Sequence, residues 1–212
     1  MSTPEFNPDF RDTLNDLLAW RRDVRHFKTD PVDRDIVMDC LKTVSIGPSV
    51  GNSQPWRFVL VDDHDRRQKL AELFETTTAA ALSDFAGDSA KLYATLKLAG
   101  LREAPVQLSV FADVQTNVGR GLGSRTMPET KAYSVVGAVH TLWILLRAHG
   151  IGMGWVSILP PDAMANLMEV DPTHKFIGHL CIGYPQEQTL TPELVKAGWQ
   201  NRLPFEDFII KR

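Results

Sequence analysis

Residues 133–149 read YSVVGAVHTLWILLRAH and are apolar on nearly every face that a helix would present. A helix of this kind is buried on most of its faces, so we expect it at the centre of the core or in a dimer interface. Strand-like apolar runs lie before and after it in the chain: RFVLVDD at 57–63, VQLSVFADV at 106–114, GMGWVSIL at 152–159 and FIGHLCIGYP at 176–185.

Helical periodicity surrounds this centre in the sequence. It is clear at 12–22 and 33–44, and PPDAMANLM begins a short helix at 160–168. Between 64 and 101 the pattern indicates two helices with a break near Gly87. Helices that alternate with four short strands predict an α+β (or α/β) fold around one sheet.

The chain shows no linker or internal repeat, so residues 1–212 are predicted to form a single domain. Residues 1–11 carry two prolines and mixed polarity, which indicates an N-terminal arm. Residues 190–212 are predicted to be a C-terminal extension.

Composition excludes several classes of function. The 212 residues include 23 Lys and Arg against 26 Asp and Glu, and this near balance leaves no basic footprint for nucleic acid. With neither a long apolar run nor a signal peptide, we expect a cytoplasmic protein with no membrane partner. Cys40 and Cys181 are predicted to be buried small side chains, and the six histidines show no ligand spacing, so no metal is assigned.

The densest cationic cluster is RRDVRHF at 21–27. Guanidinium groups at this spacing can converge on a phosphate through bidentate hydrogen bonds. A solvated helix end would place arginines in the same way, so the cluster alone leaves both readings open. If a phosphate binds there, the carboxylate of Asp23 must face away from it, toward the rest of the ligand.

Two further segments have the composition of a binding site. In GPSVGNSQPWRF, at 47–58, small residues let the backbone approach something flat, and the amide and hydroxyl side chains can direct hydrogen bonds. In GMGWVSIL a lone Ser157 stands at the end of a strand. The glycines at 119, 121 and 123 have GxGxG spacing and open no helix, so they predict a surface loop or lid rather than a dinucleotide fingerprint.

RRDVRHF and PSVGNSQPW together resemble the nitroreductase-like flavoprotein superfamily. Within it, GPSVG, LKLAGLREAP, RTMPET, GWVSIL and AGWQNRLPFED resemble the BluB-type 5,6-dimethylbenzimidazole synthases. The resemblance runs from about residue 16 to the end of the chain. It implies a nitroreductase-like fold, with a central mixed sheet flanked by helices, and an intertwined homodimer that binds FMN at its interface.

The resemblance also implies a reaction in which the flavin is consumed. Reduced FMN and O₂ would be the substrates, 5,6-dimethylbenzimidazole (the lower ligand of cobalamin) and erythrose 4-phosphate the products, and a separate flavin reductase the source of electrons. Asp23 and Ser157 would be catalytic, and residues 86–100, with Met127 and Pro128, would form a lid. The implied FMN-binding residues are Arg21, Arg22, Asp23, Val24, Arg25, Pro48, Ser49, Gly51, Leu98, Ser157 and Arg202, of which Pro48, Ser49 and Gly51 would come from the neighbouring subunit.

Two alternatives stay open. Asn52 and Ser53 follow Gly51 as they do in general nitroreductases, which leaves room for an FMN-dependent NAD(P)H oxidoreductase acting on nitro compounds or on cob(II)yrinic acid a,c-diamide. A flavin-binding protein without catalysis is the other alternative, and it gives Asp23 no role.

Overall fold

The computed structural model describes residues 3–96 and 99–212, and a four-stranded sheet lies at its centre. The strands are β1 (Trp56–Leu60), β2 (Val106–Asp113), β3 (Gly152–Val156) and β4 (His174–Gly183), in the spatial order β1-β2-β4-β3. The central strand β2, and β4 from Gly178 to Gly183, are buried on both faces, which is why these stretches are nearly continuous apolar runs.

All neighbouring strands in this sheet are antiparallel. The predicted α+β class is confirmed, whereas the sheet is antiparallel where a mixed one was expected. The spatial order of the strands explains this difference. β2 and β3 run in the same direction, but β4 lies between them and is antiparallel to both. Among the described residues, parallel pairing occurs in an isolated bridge between Asp23, which is in no strand, and Met153 of β3.

Helices cover both faces of the sheet. One layer, with α2 and α5, packs on a cluster that includes Val37, Leu108 and Leu142, and the other, with α3 and α6, packs on a cluster that includes Leu70, Phe111 and Met164. The helices are α1 (Pro8–Trp20), α2 (Arg34–Val44), α3 (His64–Leu82), α4 (Gly87–Thr95), α5 (Thr130–Ala148), α6 (Pro161–Met168) and α7 (Glu193–Lys196).

Side-chain caps explain where several helices begin. The Asn7 side chain accepts a hydrogen bond from the Phe10 amide, so α1 starts at Pro8, four residues before the periodicity that predicted it. Asp33 and Asp63 cap α2 and α3 in the same way. Part of the expected N-terminal arm is therefore helical.

The central helix α5 buries one face and exposes another. Val135, Val139 and Leu142 are fully buried, as expected for a core helix, but Tyr133 is 59% exposed and Val136 is 43% exposed. The prediction of burial on most faces is therefore wrong for the single chain, because the sheet covers only one side of α5. Within the described residues, no helix combines the length and apolar character that a bilayer span needs.

Candidate active site

The segment that follows α1 lies along the edge of the sheet. The Val24 amide donates to the Met153 carbonyl over 3.1 Å, and Asp23 forms the parallel bridge with the same residue. The segment can come this close because a Cβ on Gly154 would collide with the Val24 carbonyl. The glycines of GMGW thus provide the space in which Asp23 is held against β3.

The Asp23 carboxylate is oriented through both of its oxygens. Oδ1 accepts a hydrogen bond from the Trp155 amide over 2.9 Å, and Oδ2 lies 3.0 Å from Nε of Arg25. The Arg25 side chain is only 12% exposed, whereas that of Asp23 is 33% exposed. A carboxylate fixed in this way, with part of its surface open, can exchange a proton with a bound molecule.

One side of this carboxylate is closely packed and has no space for a water-sized molecule. Gly100, Trp155 and Cys181 are among the residues that surround it there. Burial raises the pKa of the Cys181 thiol to about 12, so this cysteine is a neutral lining group. Cys40 and Cys181 are both buried and free, as predicted.

Arg21, Arg22 and Arg202 form a group of like charges, which we call the arginine cluster. Partial burial lowers the pKa of Arg21, the charge of Asp23 raises it, and the charge of Arg202 lowers it. Burial, and then the charges of Arg21 and Arg202, lower the pKa of Arg22. An anion bound among these three guanidinium groups would relieve their mutual repulsion.

The members of the cluster have different contacts. Arg22 donates from Nε (2.8 Å) and Nη2 (2.5 Å) to the Leu190 carbonyl, and from Nη1 to the Arg21 carbonyl. The Arg21 guanidinium lies 4.6 Å from the centre of the Trp143 ring, a cation–π arrangement. Neither Arg21 nor Arg202 donates a side-chain hydrogen bond to any described residue, so both keep donors for a ligand. A cavity of about 340 Å³ is lined by Arg21, Asp23 and Trp143, among others, and Arg202 lies outside this lining.

The segment at 48–54 lies elsewhere on the chain. The Val50 amide donates to the Ser134 hydroxyl near the start of α5, and Gly51 has a φ of +56° with the Leu122 and Gly119 carbonyls close to it. Ser134 and Trp143 are nine residues apart, or about 13 Å along the helix axis at the usual rise. Within one chain, the structure therefore does not bring Pro48, Ser49 and Gly51 to the arginine cluster.

Ser157 is the first residue after β3 and is exposed. Its hydroxyl makes no hydrogen bond to the described residues. Because Trp155, two positions earlier, holds Asp23, the two expected catalytic side chains lie at the same region of β3. The expected contact at Leu98 falls outside the described residues.

The two parts of the expected lid have different surroundings. Helix α4 occupies most of 86–100, whereas Met127 is exposed at the end of the glycine loop. That loop packs on the 48–54 segment, since Gly123 faces the Val50 side chain.

Sequence reasoning missed the residues that orient the expected ones. Trp143 contributes its ring to Arg21 and its Nε1–H to the Arg22 carbonyl over 3.2 Å. The indole of Trp143, within the aliphatic stretch of α5, was a signal for it. The Trp155 amide and the Leu190 carbonyl are backbone groups, for which the sequence carries no signal. No cluster of three or more metal-ligating side chains occurs among the described residues.

Comparisons with known proteins agree on one family. The model of the nitroreductase family matches residues 18–184. The 5,6-dimethylbenzimidazole synthase of Rhodospirillum rubrum is 51% identical over 201 residues, which cover 95% of each chain.

Two solved structures have the same fold. The crystal structure of oxidised iodotyrosine deiodinase bound to FMN and 3-iodo-L-tyrosine superposes with a TM-score of 0.72 at 23% identity, covering 94% of this chain and 97% of that one. A BluB-like flavoprotein from Clostridium difficile 630 superposes with a TM-score of 0.69 at 18% identity, covering 94% and 98%.

Proposed function

The chain belongs to the nitroreductase family, and from this premise we propose that it binds FMN and acts as a 5,6-dimethylbenzimidazole synthase. The observation that carries the proposal is the 51% identity, over 95% of both chains, to a relative of that name. In the proposed reaction, reduced FMN and O₂ are consumed, and 5,6-dimethylbenzimidazole and erythrose 4-phosphate are released.

The arginine cluster fits the phosphate of FMN. Arg21 and Arg202 keep their guanidinium donors, and a phosphate bound by them would form charge-assisted hydrogen bonds. It would also offset the repulsion by Arg202, which adds to the effect of burial in lowering the pKa of Arg21. Arg22 has its donors on the Leu190 carbonyl, so its contribution is to the positive potential and to the position of the C-terminal segment. Arg25 is paired with Asp23 and acts through that carboxylate.

Asp23 is proposed as the general acid and base of the reaction. Reduced FMN supplies the electrons that O₂ takes up, and cleavage of the ribityl chain requires protons to move at its C1′. The Trp155 amide and Arg25 fix the carboxylate in one orientation. A general base positioned in this way contributes about 10²–10⁴-fold to a rate.

Ser157 is proposed as a hydrogen-bond donor to the flavin ring. Its exposed hydroxyl, which the described residues do not engage, is available at the end of β3. A donor on a rigid strand end holds a ligand at low cost in reorganisation. Val24, beside Asp23 on the sheet edge, is proposed to pack on the same ligand.

A homodimer would complete this site. Pro48, Ser49 and Gly51 lie toward the start of α5, about 13 Å along the helix from the end that carries Trp143, so we propose that they reach the flavin of a second copy. The exposed apolar face of α5, with Tyr133 and Val136, supports a second copy packed there. We further propose that a separate flavin reductase supplies the reduced FMN.

The test is to mix the protein with chemically reduced FMN, admit air, and follow the products by chromatography and mass spectrometry. A 5,6-dimethylbenzimidazole peak that rises as flavin falls is the expected result. Flavin that returns intact as FMN would contradict the synthase. Steady NAD(P)H oxidation with intact FMN would instead identify an oxidoreductase of nitro compounds or corrinoids.

A further inference from the structure

The indole of Trp143 makes two contacts with the segment that carries Asp23. The Arg21 guanidinium lies over its ring, with 4.6 Å between Cζ and the ring centre. Its Nε1–H donates to the Arg22 carbonyl over 3.2 Å. The indole is partly buried and packs against the core cluster that includes Leu142. The ring is therefore fixed both by the core and by the main chain of the segment that it supports.

A cation–π contact holds a guanidinium group without using its hydrogen-bond donors. The attraction acts between the cation and the electron-rich face of the ring, whereas a carboxylate partner accepts from the same N–H groups that a ligand needs. Arg25 shows the second arrangement, because its Nε lies 3.0 Å from Oδ2 of Asp23. Arg21 rests on the Trp143 ring instead, and this contact leaves both its charge and its donors to a ligand.

The carboxylates that share a cavity with Arg21 are not hydrogen-bonded to it. The cavity of about 340 Å³ that Arg21 and Trp143 line is also lined by three carboxylates, Asp23, Glu187 and Glu193. The first pairs with Arg25 at 3.0 Å and the second with Lys196 at 2.9 Å. The third forms no ion pair with a described residue. A ligand that enters the cavity therefore meets a guanidinium whose donors no carboxylate of the lining accepts.

We propose that Trp143 is a positioning residue that gives the site its preference for a phosphorylated flavin. Its ring holds the Arg21 guanidinium at the cavity with the N–H donors free. A phosphate carries more than one negative charge and accepts several hydrogen bonds, so it gains more from such a group than the hydroxyl that ends the ribityl chain of riboflavin. The inference rests on the proposed binding of FMN, and it assigns part of the selection of FMN over riboflavin to a residue of α5 that acts through Arg21.

Titration of the full chain with oxidised FMN and with riboflavin tests the proposal, because the two ligands share the ring and differ in the phosphate. In Trp143→Leu the Kd for FMN should rise roughly tenfold, and that for riboflavin should change by less than about twofold. Trp143→Phe keeps an aromatic face and should retain most of the wild-type preference. Leu145→Ala removes packing from the same helix and the same cluster, and as the matched control it should leave the ratio of the two constants unchanged.

A double-mutant cycle shows whether the effect passes through Arg21. With Arg21→Ala in place, the ring has no guanidinium to hold, so adding Trp143→Leu should leave the Kd for FMN as it is in Arg21→Ala alone. A further loss of affinity in the double variant, as large as that in Trp143→Leu alone, would overturn the proposal, because Trp143 would then act on the fold or on another residue. An undiminished preference for FMN in Trp143→Leu would overturn it as well.

A change confined to the electrons of the ring covers the case in which Trp143→Leu does not fold. A chain grown with fluorinated tryptophan keeps nearly the shape of each indole but has a weaker negative face. Its preference for FMN should be lower than that of the unmodified wild type. Fluorination of Trp143→Phe should have no such effect, because the ring beneath Arg21 then carries no fluorine. An equal preference in the fluorinated and unmodified wild type would contradict the role of the ring.

The outcomes separate this inference from the proposed function. If the wild type binds FMN and riboflavin with equal Kd, or binds neither, the proposed phosphate site fails and the inference fails with it. If the wild type prefers FMN and Trp143→Leu keeps that preference, the inference fails alone. Neither titration uses reduced flavin or O₂, so the result does not depend on whether the synthase reaction takes place.

Discussion

At the scale of single residues, hydrogen bonding gives Asp23 and the arginines near it different surroundings. Asp23 accepts from a backbone amide and from one arginine, while Arg21 keeps its guanidinium for a ligand and stacks on Trp143. Arg22, next to Arg21 in the sequence, donates its hydrogen bonds to backbone carbonyls. Neighbouring arginines of one motif therefore have different tasks.

Replacement of Asp23 by Asn should impair product formation and leave FMN binding intact. The Asn amide can still accept from the Trp155 amide, but it cannot take up a proton, so product formation should fall about 10²–10⁴-fold. FMN titration should give an unchanged or tighter Kd, because a negative charge near the phosphate site is removed. Asp113→Asn, which breaks an aspartate–arginine pair at the remote end of β2, is the matched control. A wild-type rate in Asp23→Asn would remove this carboxylate from the mechanism.

Replacement of Arg21 by Ala should weaken FMN binding. The loss of charge-assisted hydrogen bonds to a phosphate predicts a Kd roughly 10- to 100-fold higher. The affinity for riboflavin should change little, since it has no phosphate. Arg102→Ala removes the same charge from an exposed pair with Glu75 and should leave both titrations unaltered. Identical FMN curves for wild type and Arg21→Ala would mean that the cluster is only a solvated helix end.

At the scale of elements, α5 connects the core to the proposed interface. One face packs on the sheet through side chains such as Val139 and Leu142, and the opposite face exposes Tyr133 and Val136. The 48–54 segment is fastened beside that exposed face by Ser134. A second copy that covered the exposed face would therefore also meet this segment.

Val136→Glu should separate the proposed dimer. A carboxylate placed in an apolar interface stays solvated only if the two copies part, so sedimentation should show a monomer. FMN affinity should fall with it, because the segment from the partner is lost. Met38→Glu, at an exposed apolar position on α2, is the control and should leave assembly intact. A dimer of undiminished stability would place the interface elsewhere.

At the scale of the whole molecule, a buried polar chain links the two central strands to the segment after α4. Gln107 Oε1 can only accept, so His179 carries its hydrogen on Nε2 (3.2 Å), and its Nδ1 accepts from the Ser109 hydroxyl (2.9 Å). Gln107 then donates to the Leu101 carbonyl over 2.5 Å. Burial, with a smaller effect of the Arg67 charge, lowers the pKa of His179 from 6.5 to about 3.

This histidine should make stability depend on pH. The unfolded chain takes up a proton near pH 6.5 and the folded chain only near 3, so the contribution is complete above 6.5 and is lost as pH falls toward 3. Urea unfolding should show the free energy of unfolding of the wild type falling faster than that of His179→Gln, by about 1.4 kcal/mol per pH unit within this window. His64→Gln, at an exposed site, should keep the wild-type slope. Parallel curves for wild type and His179→Gln would contradict the assignment.

The sequence by itself determined what depends on near neighbours. Apolar periodicity placed the helices and strands, capping side chains such as Asn7 explain where helices start, and the motifs around Asp23 and Gly51 named the family. Only the tertiary structure decided that β4 lies between β2 and β3, that the Trp155 amide holds Asp23 from 132 positions away, and that Arg22 turns to a carbonyl 168 positions away. In both of these hydrogen bonds one partner is a backbone group, which every residue carries alike, so the sequence does not record where that partner lies.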